Sequence, residues 1–210
     1  MLHMILEMNR FLNHEVHAYC HERYLGMYHP ENDLIYLNYL KNDQNNRPLE
    51  LIKKCEAELT AVLVADFAAI ASIYGTLTVC GIPRSKREVS YTFGQMGLKR
   101  AISAATWSNP LLEDGTNYIV RHTDTKCTHR AGWGHGGAGE LPRPGLIRDT
   151  CTISPSVYGK SILLVDDIYT PGCGIDEDGA QALFDAGAKT VVFYAVGKAR
   201  GNGSGFRLCV

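Results

Sequence analysis

The sequence lacks a surplus of charge of either sign, because 21 lysines and arginines face 22 aspartates and glutamates and the formal net charge is −1. Such a balance gives no overall basic field that would draw the chain to nucleic acid or to an anionic membrane. No C-x-x-C pair occurs among the seven cysteines, whose number is odd and whose spacing is scattered. A disulfide framework and a paired-cysteine zinc site are therefore not expected, and reduced thiols in a cytoplasm are the simplest interpretation.

The sequence also lacks the pattern expected of a signal peptide and a long uninterrupted apolar run. Its first residues, MLHMILEMNRFLNHEV, have no basic start, no long apolar core and no small-residue cleavage site. The most apolar stretch, residues 59–74, contains Asp66 and is too short to span a bilayer comfortably. We therefore expect a buried helix there and no membrane partner.

Without internal repeats, the chain is interpreted as a small N-terminal region, residues 1–49, followed by a core domain, residues 50–210. The polar stretch NDQNNRP, residues 42–48, reads as a loop or linker between them. Apolar residues at three- and four-residue steps predict a long helix over residues 49–73. Further strands are predicted at 76–83, 118–121, 150–153, 161–165 and 190–196, and further helices at 91–105 and 175–186. Strand, helix and strand in succession near the end indicate a parallel sheet.

The stretch ILLVDDIYTPGCGID, residues 162–176, places two adjacent carboxylates, Asp166 and Asp167, between a buried strand and a glycine-bearing turn that leads into a helix. A helix N-terminus has unpaired amides and a positive dipole end, so this geometry is typical of phosphate binding. Neighbouring carboxylates at that position can accept hydrogen bonds from sugar hydroxyls and help to hold a hydrated Mg²⁺. Burying two carboxylates with no ligand to use them would be costly.

In order and spacing this stretch resembles the signature of the type I phosphoribosyltransferases, which bind phosphoribosyl pyrophosphate (PRPP) with Mg²⁺. The resemblance extends over roughly residues 50–200 and implies that Asp166 and Asp167 hold the ribose 2′- and 3′-hydroxyls and, through water, the Mg²⁺ ion. It further implies that the turn cradles the 5′-phosphate. The residues of that turn are Thr170, Pro171, Gly172, Cys173 and Gly174.

Two positions of the turn depart from the commonest family pattern. Pro171 removes one backbone donor, and Gly174 lacks the hydroxyl of a frequent threonine or serine, although orotate enzymes of the family also carry small apolar residues at these two positions. Thr170 stands where enzymes of the hypoxanthine type place an acidic base, which argues against that group of substrates.

A second anion site is expected from the segment CGIPRSKREV, residues 80–89, which follows a predicted strand. The resemblance places a pyrophosphate-binding loop here, and a solvated basic turn is the alternative. The glycine-rich stretch 122–145 is expected to be a long mobile loop. The overlapping segment VRHTDTKCTHR, residues 120–130, resembles the mobile loop of the family and the arginine-rich segment of ComF-like members. Its basic residues could close over pyrophosphate and stabilise its developing charge. The candidate cations are Arg84, Lys86 and Arg87 beside Ser85 in the first segment, and Arg121, Lys126, His129 and Arg130 in the second.

A cluster of His14, His17, Cys20 and His21 lies near the start of the chain. On a helix the three histidines would share one face and could bind zinc. ComF-like proteins carry an N-terminal zinc module, but theirs depends on paired cysteines. A polar helix face is the interpretation that we favour.

Together these features predict an α/β protein with the type I phosphoribosyltransferase fold: a central parallel sheet flanked by helices, with a hood-like N-terminal region. The expected activity is transfer of phosphoribose between PRPP and a nucleobase-like acceptor, with pyrophosphate as co-product and Mg²⁺ as cofactor. One alternative is an orphan enzyme that depletes PRPP or cleaves nucleotides as a toxin or defence effector, with a protein antitoxin as partner. Another is a non-catalytic PRPP or nucleotide sensor that regulates a partner. Homodimers are common in the family. The sequence does not identify the acceptor base.

Overall fold

A six-stranded sheet runs through the middle of the protein. The computed structural model describes residues 1–26, 29–41, 47–126 and 139–199. The strands of the sheet are β1 (Leu2–Leu6), β2 (Val16–Tyr24), β3 (Leu77–Gly81), β4 (Leu112–Asp114), β7 (Ser161–Tyr169) and β8 (Thr190–Ala199). Two short strands, β5 (Ile119–Arg121) and β6 (Cys151–Ile153), pair with each other outside it.

The order of strands across the sheet is β1-β2-β8-β7-β3-β4. All neighbours are parallel except β1, which lies antiparallel to β2 at the edge. From β3 the chain proceeds outward to β4, whereas from β7 it proceeds in the opposite direction to β8. The order therefore reverses between β3 and β7, and in open parallel sheets the crevice at the carboxyl ends of such strands is where ligands bind.

Helices cover both faces of the sheet. They are α1 (Ile35–Lys41), α2 (Leu49–Tyr74), α3 (Gly97–Thr106), α4 (Leu146–Thr150) and α5 (Ile175–Asp185). Residues of α1, α2 and α3 pack with Leu163 and Val165 of β7 in one apolar cluster, and residues of α4 and α5 pack with Ile162 and Leu164 in a second. Alternate side chains of one buried strand thus pack into two separate cores, as the two-residue period of a strand requires.

Most predicted elements of the core are confirmed, among them the long helix α2 and the strands β3 and β8. By length and composition α2 could cross a membrane, but here it buries Leu59, Leu63 and Phe67 in the first core. The prediction that β7 ends at residue 165 is wrong, because its pairing with β8 continues through Asp166 to Tyr169.

The N-terminal region does not stand apart from the sheet. Strands β1 and β2 extend the sheet beyond β8, and α1 packs against α2 in the first core. Residues 14–21 are not helical as the histidine spacing suggested, because residues 16–24 form β2. The domain boundary at residue 49 stays a prediction.

Candidate functional site

The acidic pair lies within β7 rather than after its end. Successive side chains of a strand point to opposite faces, and the contacts of the two carboxylates follow that rule. Asp167 meets Lys41, at the end of α1, on one face, whereas Asp166 is hydrogen-bonded to Asp176, at the start of α5, on the other. The two carboxylates therefore approach the rim of the sheet from its two sides.

Asp167 forms an ion pair with the protein itself. Its Oδ1 accepts a hydrogen bond of 2.7 Å from Nζ of Lys41, and both side chains are mostly shielded from solvent. Burial alone would raise the pKa of Asp167, but the lysine outweighs burial and holds the pKa below its usual range. The lysine thus competes with any sugar hydroxyl or metal-bound water for this carboxylate.

Asp166 is in the opposite electrostatic situation. Burial, reinforced by the charge of Asp167, raises the pKa of Asp166 to about 7. Asp176, only 2% exposed, has its pKa raised by burial and by Asp166. Two carboxyl groups within hydrogen-bond distance require a proton between them, so this pair holds at least one proton near neutral pH.

The turn after β7 has the geometry of a type II turn. Pro171 and Gly172 occupy its central positions, Gly172 has φ of 82°, and the Cys173 amide donates to the carbonyl of Thr170 at 3.1 Å. Proline at the second position and a positive φ at the third are what this turn type demands. Gly174 also has φ of 82°.

Gly174 brings the backbone close to a neighbouring segment. A Cβ at this position would lie 2.3 Å from the ring of Phe11, in the connection between β1 and β2. The backbone of the turn therefore lies directly beside the N-terminal region. Neither the conformation nor the space at Gly174 would accept a threonine or serine side chain.

Three acidic residues occupy the first turn of α5, which would repel a bound phosphate if all were ionised. Each carboxyl is engaged locally: Asp178 accepts the amides of Gly145 and Ile147, Glu177 accepts the hydroxyl of Tyr169, and Asp176 meets Asp166. Burial raises the pKa of all three. Protonation of part of this group reduces the repulsion, so the N-terminus of α5 keeps the capacity to bind an anion.

The loop after β3 lies on the other side of the strand reversal. Arg84 donates from Nη2 to the carbonyl of Lys41 at 2.8 Å and from Nη1 to the carbonyl of Gln95 at 3.2 Å. Its charge also helps to lower the pKa of Asp167. Arg84 is thus the cation of this loop that the structure ties to the acidic pair, through Lys41.

The other predicted residues of this loop contact the segment that precedes residue 126. The carbonyl of Ser85 accepts the amide of Thr125 at 2.7 Å, and Nζ of Lys86 donates to the Thr125 carbonyl at 3.0 Å. Arg87 forms an exposed ion pair of 3.2 Å with Asp124. These contacts shape the loop as a packed unit, with its basic side chains partly engaged.

Arg121 lies on β5, within the strand predicted at residues 118–121, and is only 4% exposed. It is therefore not a cation of the mobile loop, as the resemblance had suggested. Its guanidinium donates to the carbonyl of Arg84 at 2.5 Å, to Oγ1 of Thr150 at 2.6 Å and to the carbonyl of Pro83 at 3.4 Å. Burial lowers its pKa. Arg121 therefore supports the loop after β3 from beneath instead of closing over a ligand.

Lys126 is partly buried, and its amide donates to the carbonyl of Glu140 at 2.9 Å. The predicted cations His129 and Arg130 fall outside the described residues.

The predicted three-histidine zinc cluster does not assemble. His17 and His21 lie four residues apart on a strand, about 13 Å along its axis, and His14 packs against Phe184. Nδ1 of His21 is instead 2.9 Å from Oδ2 of Asp66. Within the described part of the chain, no group of three or more histidine, cysteine or acidic residues could hold a metal ion.

Sequence patterns did not single out Lys41 and Asp176 as members of the site. Lys41 ends a short helix far from the acidic pair in sequence, and no local pattern signals its ion pair. Asp176 could have been noticed as an acidic residue in the first turn of a helix that follows the predicted phosphate-binding turn, where its charge opposes the expected ligand.

Replacing Asp176 by asparagine is expected to raise the free energy of unfolding at pH 8 by about 1–3 kcal/mol. Folding raises the pKa of the Asp176 carboxyl group. Its contribution to the free energy of unfolding is therefore complete below the pKa of the unfolded chain, and it is lost as the pH rises through the pKa of the folded protein. The amide does not titrate, so the gain should be larger at pH 8 than at pH 5. Urea unfolding at both pH values measures it, with exposed Asp185→Asn as the control; an equal gain at both would contradict the explanation.

Comparison with known proteins adds no relative: no protein-family model matches this chain, and no curated protein matches it either.

Proposed function

We propose that the protein binds PRPP at the carboxyl ends of β3 and β7 and acts as a phosphoribosyltransferase. The observation that carries this proposal is the position of the two sequence-predicted anion loops. Residues 82–87 follow β3, residues 170–174 follow β7, and the order of the sheet reverses between these two strands. The acidic pair lies on β7 at the same rim, linked to Arg84 through Lys41.

A ligand placed by these features would lie across the rim of the sheet. The 5′-phosphate would bind to the turn at 170–174 and the N-terminus of α5, and the ribose hydroxyls would meet Asp166 and Asp167. The diphosphate would extend towards the loop that carries Arg84. Positioning of the reactants and neutralisation of charge are the means by which such a site would favour departure of pyrophosphate from an oxocarbenium-like ribose.

The acidic pair offers the hard oxygen donors that Mg²⁺ requires. Asp166 and Asp167 would hold the ion through water, and the ion would supply neutralisation of the diphosphate charge. Because Lys41 is paired with Asp167 at 2.7 Å, Asp166 would contribute more than Asp167 to binding of the Mg²⁺ ion.

The test of the proposal is titration calorimetry of the full chain with PRPP in the presence and absence of Mg²⁺. Binding that depends on Mg²⁺ is expected, with ribose 5-phosphate binding more weakly because it lacks the diphosphate. Incubation with PRPP and a panel of bases, or with nucleotides and pyrophosphate, then reports turnover through release of pyrophosphate or base. No heat with either sugar phosphate would overturn the proposal.

PRPP affinity is expected to rise about tenfold between pH 6 and pH 8. The pKa of Asp166 is about 7, so its ionised fraction rises about tenfold over this range, and only the ionised form attracts Mg²⁺. PRPP itself also titrates, so the same measurement on Asp166→Asn supplies the baseline. A wild-type profile that parallels that of the variant would contradict this role of Asp166.

A second candidate function, a PRPP or nucleotide sensor, is favoured by the ion pair between Lys41 and Asp167. A ligand that engages Asp167 must weaken this contact and release the end of α1, which would couple binding to a movement in the N-terminal region. Binding of PRPP without turnover of any base or nucleotide is the result expected of a sensor.

A further inference from the structure

The face of β1 and β2 that meets the end of α2 carries two exposed histidines on neighbouring strands. Nε2 of His3 lies 3.1 Å from Nδ1 of His17, and both side chains are exposed. The register of the two strands fixes this proximity, since His3 pairs with Tyr19, and Ile5 pairs with His17. The histidines are therefore diagonal neighbours on one face of an antiparallel pair.

The separation of the two nitrogens matches the bite of a metal ion. With metal–nitrogen bonds of about 2.0–2.1 Å, a distance of 3.1 Å corresponds to an angle of about 98° at the metal. This angle lies between the values for octahedral and tetrahedral coordination. In the structure the two ring nitrogens share a hydrogen bond. A metal ion must therefore take the place of its proton, and each ring must turn about χ2 to aim a lone pair at a common point. That torsion is broad in histidine, and both side chains are exposed.

The nearest side chains around the two histidines are aromatic rather than charged. The aromatic rings nearest to the pair are those of Tyr19, 4.9 Å from His3, and Tyr74, 6.3 Å from His17. Their hydroxyl groups are 3.0 Å apart and hydrogen-bond to each other. No ion pair to either histidine is found within the described residues, so no carboxylate competes with a metal ion for these two nitrogens.

We propose that His3 and His17 form a bidentate site for a borderline transition-metal ion, Zn²⁺, Ni²⁺ or Cu²⁺, across β1 and β2. Imidazole is a good ligand for these ions. Because the site supplies two protein ligands, water would complete the coordination of the ion. The bound ion would link β1, the edge strand, more firmly to β2 and the rest of the sheet. This site is separate from the rim that carries Asp166 and differs from the three-histidine cluster that the sequence suggested.

The test uses NiCl₂ and CuCl₂ with the full chain and with His3→Gln and His17→Gln. Calorimetry should show that each substitution lowers the affinity for Ni²⁺ at least about tenfold, whereas His14→Gln, the matched control on the same segment, leaves it unchanged. The Cu²⁺ electron paramagnetic resonance spectrum should show coupling to two imidazole nitrogens. Saturating Ni²⁺ should also raise the melting temperature of the wild type but not of the variants.

Three results would overturn the proposal. The first is affinity that survives in the double variant His3→Gln/His17→Gln, since the ion would then bind elsewhere. The second is affinity that depends on His3 but not on His17, which would indicate a chelate of His3 with adjacent backbone amides. The third is absence of binding at metal concentrations up to the millimolar range. Circular dichroism checks that the variants, altered at exposed positions, remain folded.

Discussion

Asp166→Asn should lower the affinity for PRPP and Mg²⁺ about a hundredfold at pH 8 while leaving the protein folded. At this pH, above its pKa of about 7, Asp166 is ionised, and two charge-assisted interactions of about 1.5–3 kcal/mol each, one to a ribose hydroxyl and one to metal-bound water, would be weakened. The fold should tolerate the change because the amide has the size of the acid and can donate a hydrogen bond to Asp176. Titration calorimetry at pH 8 measures the loss.

The choice of Asp166 makes this experiment cleaner than the equivalent change at Asp167. Asn at position 167 would leave Lys41 without its partner in a mostly buried site, so lost binding could reflect lost structure. Asp185→Asn, on the exposed far end of α5, is the matched control and should bind PRPP as the wild type does. An Asp166→Asn protein that keeps full affinity and a normal melting temperature would show that this carboxylate takes no part in binding.

The two sides of the acidic pair illustrate what a sequence pattern can and cannot supply. Four apolar residues, two acids and a turn with proline and glycine predicted a buried strand, a turn and a helix, and each element is confirmed. The partners of the acids were not predictable, because they depend on which helix covers which face of the sheet. Lys41 lies 126 positions from Asp167 and is brought to it by tertiary packing alone.

The N-terminal region was the least predictable part of the fold, and the physical reason is visible in β2. This strand is buried between β1 and β8, so its apolar residues do not alternate cleanly, and its two histidines, together with His14 just before it, mimic the spacing of a helix face. His21 faces a buried acid, Asp66, which also accepts the hydroxyl of Tyr194. That tertiary contact explains the presence of His21 in the strand, and it is not encoded in local sequence.

Arg121→Met is expected to lower the free energy of unfolding by about 2–4 kcal/mol, the largest loss among the changes considered. Methionine resembles the aliphatic part of arginine but cannot donate hydrogen bonds. The substitution deprives the carbonyls of Pro83 and Arg84 and the hydroxyl of Thr150 of a donor, in a place where the guanidinium is 4% exposed and water has little access. Removing a buried cation offsets part of the loss, since burial already lowers the pKa of Arg121.

The same substitution separates a supporting role from a catalytic one. Loss of the buried donors should loosen residues 82–87, so hydrogen exchange at the amides of Arg84 and Lys86 should accelerate before any ligand is added. If Arg121 contacted pyrophosphate directly, exchange in the free protein would be unchanged and the affinity for PRPP alone would fall. Arg87→Met, which removes an exposed ion pair with Asp124, is the control and should change stability by less than about 1 kcal/mol. A wild-type melting temperature for Arg121→Met would show that the buried guanidinium does not stabilise the loop.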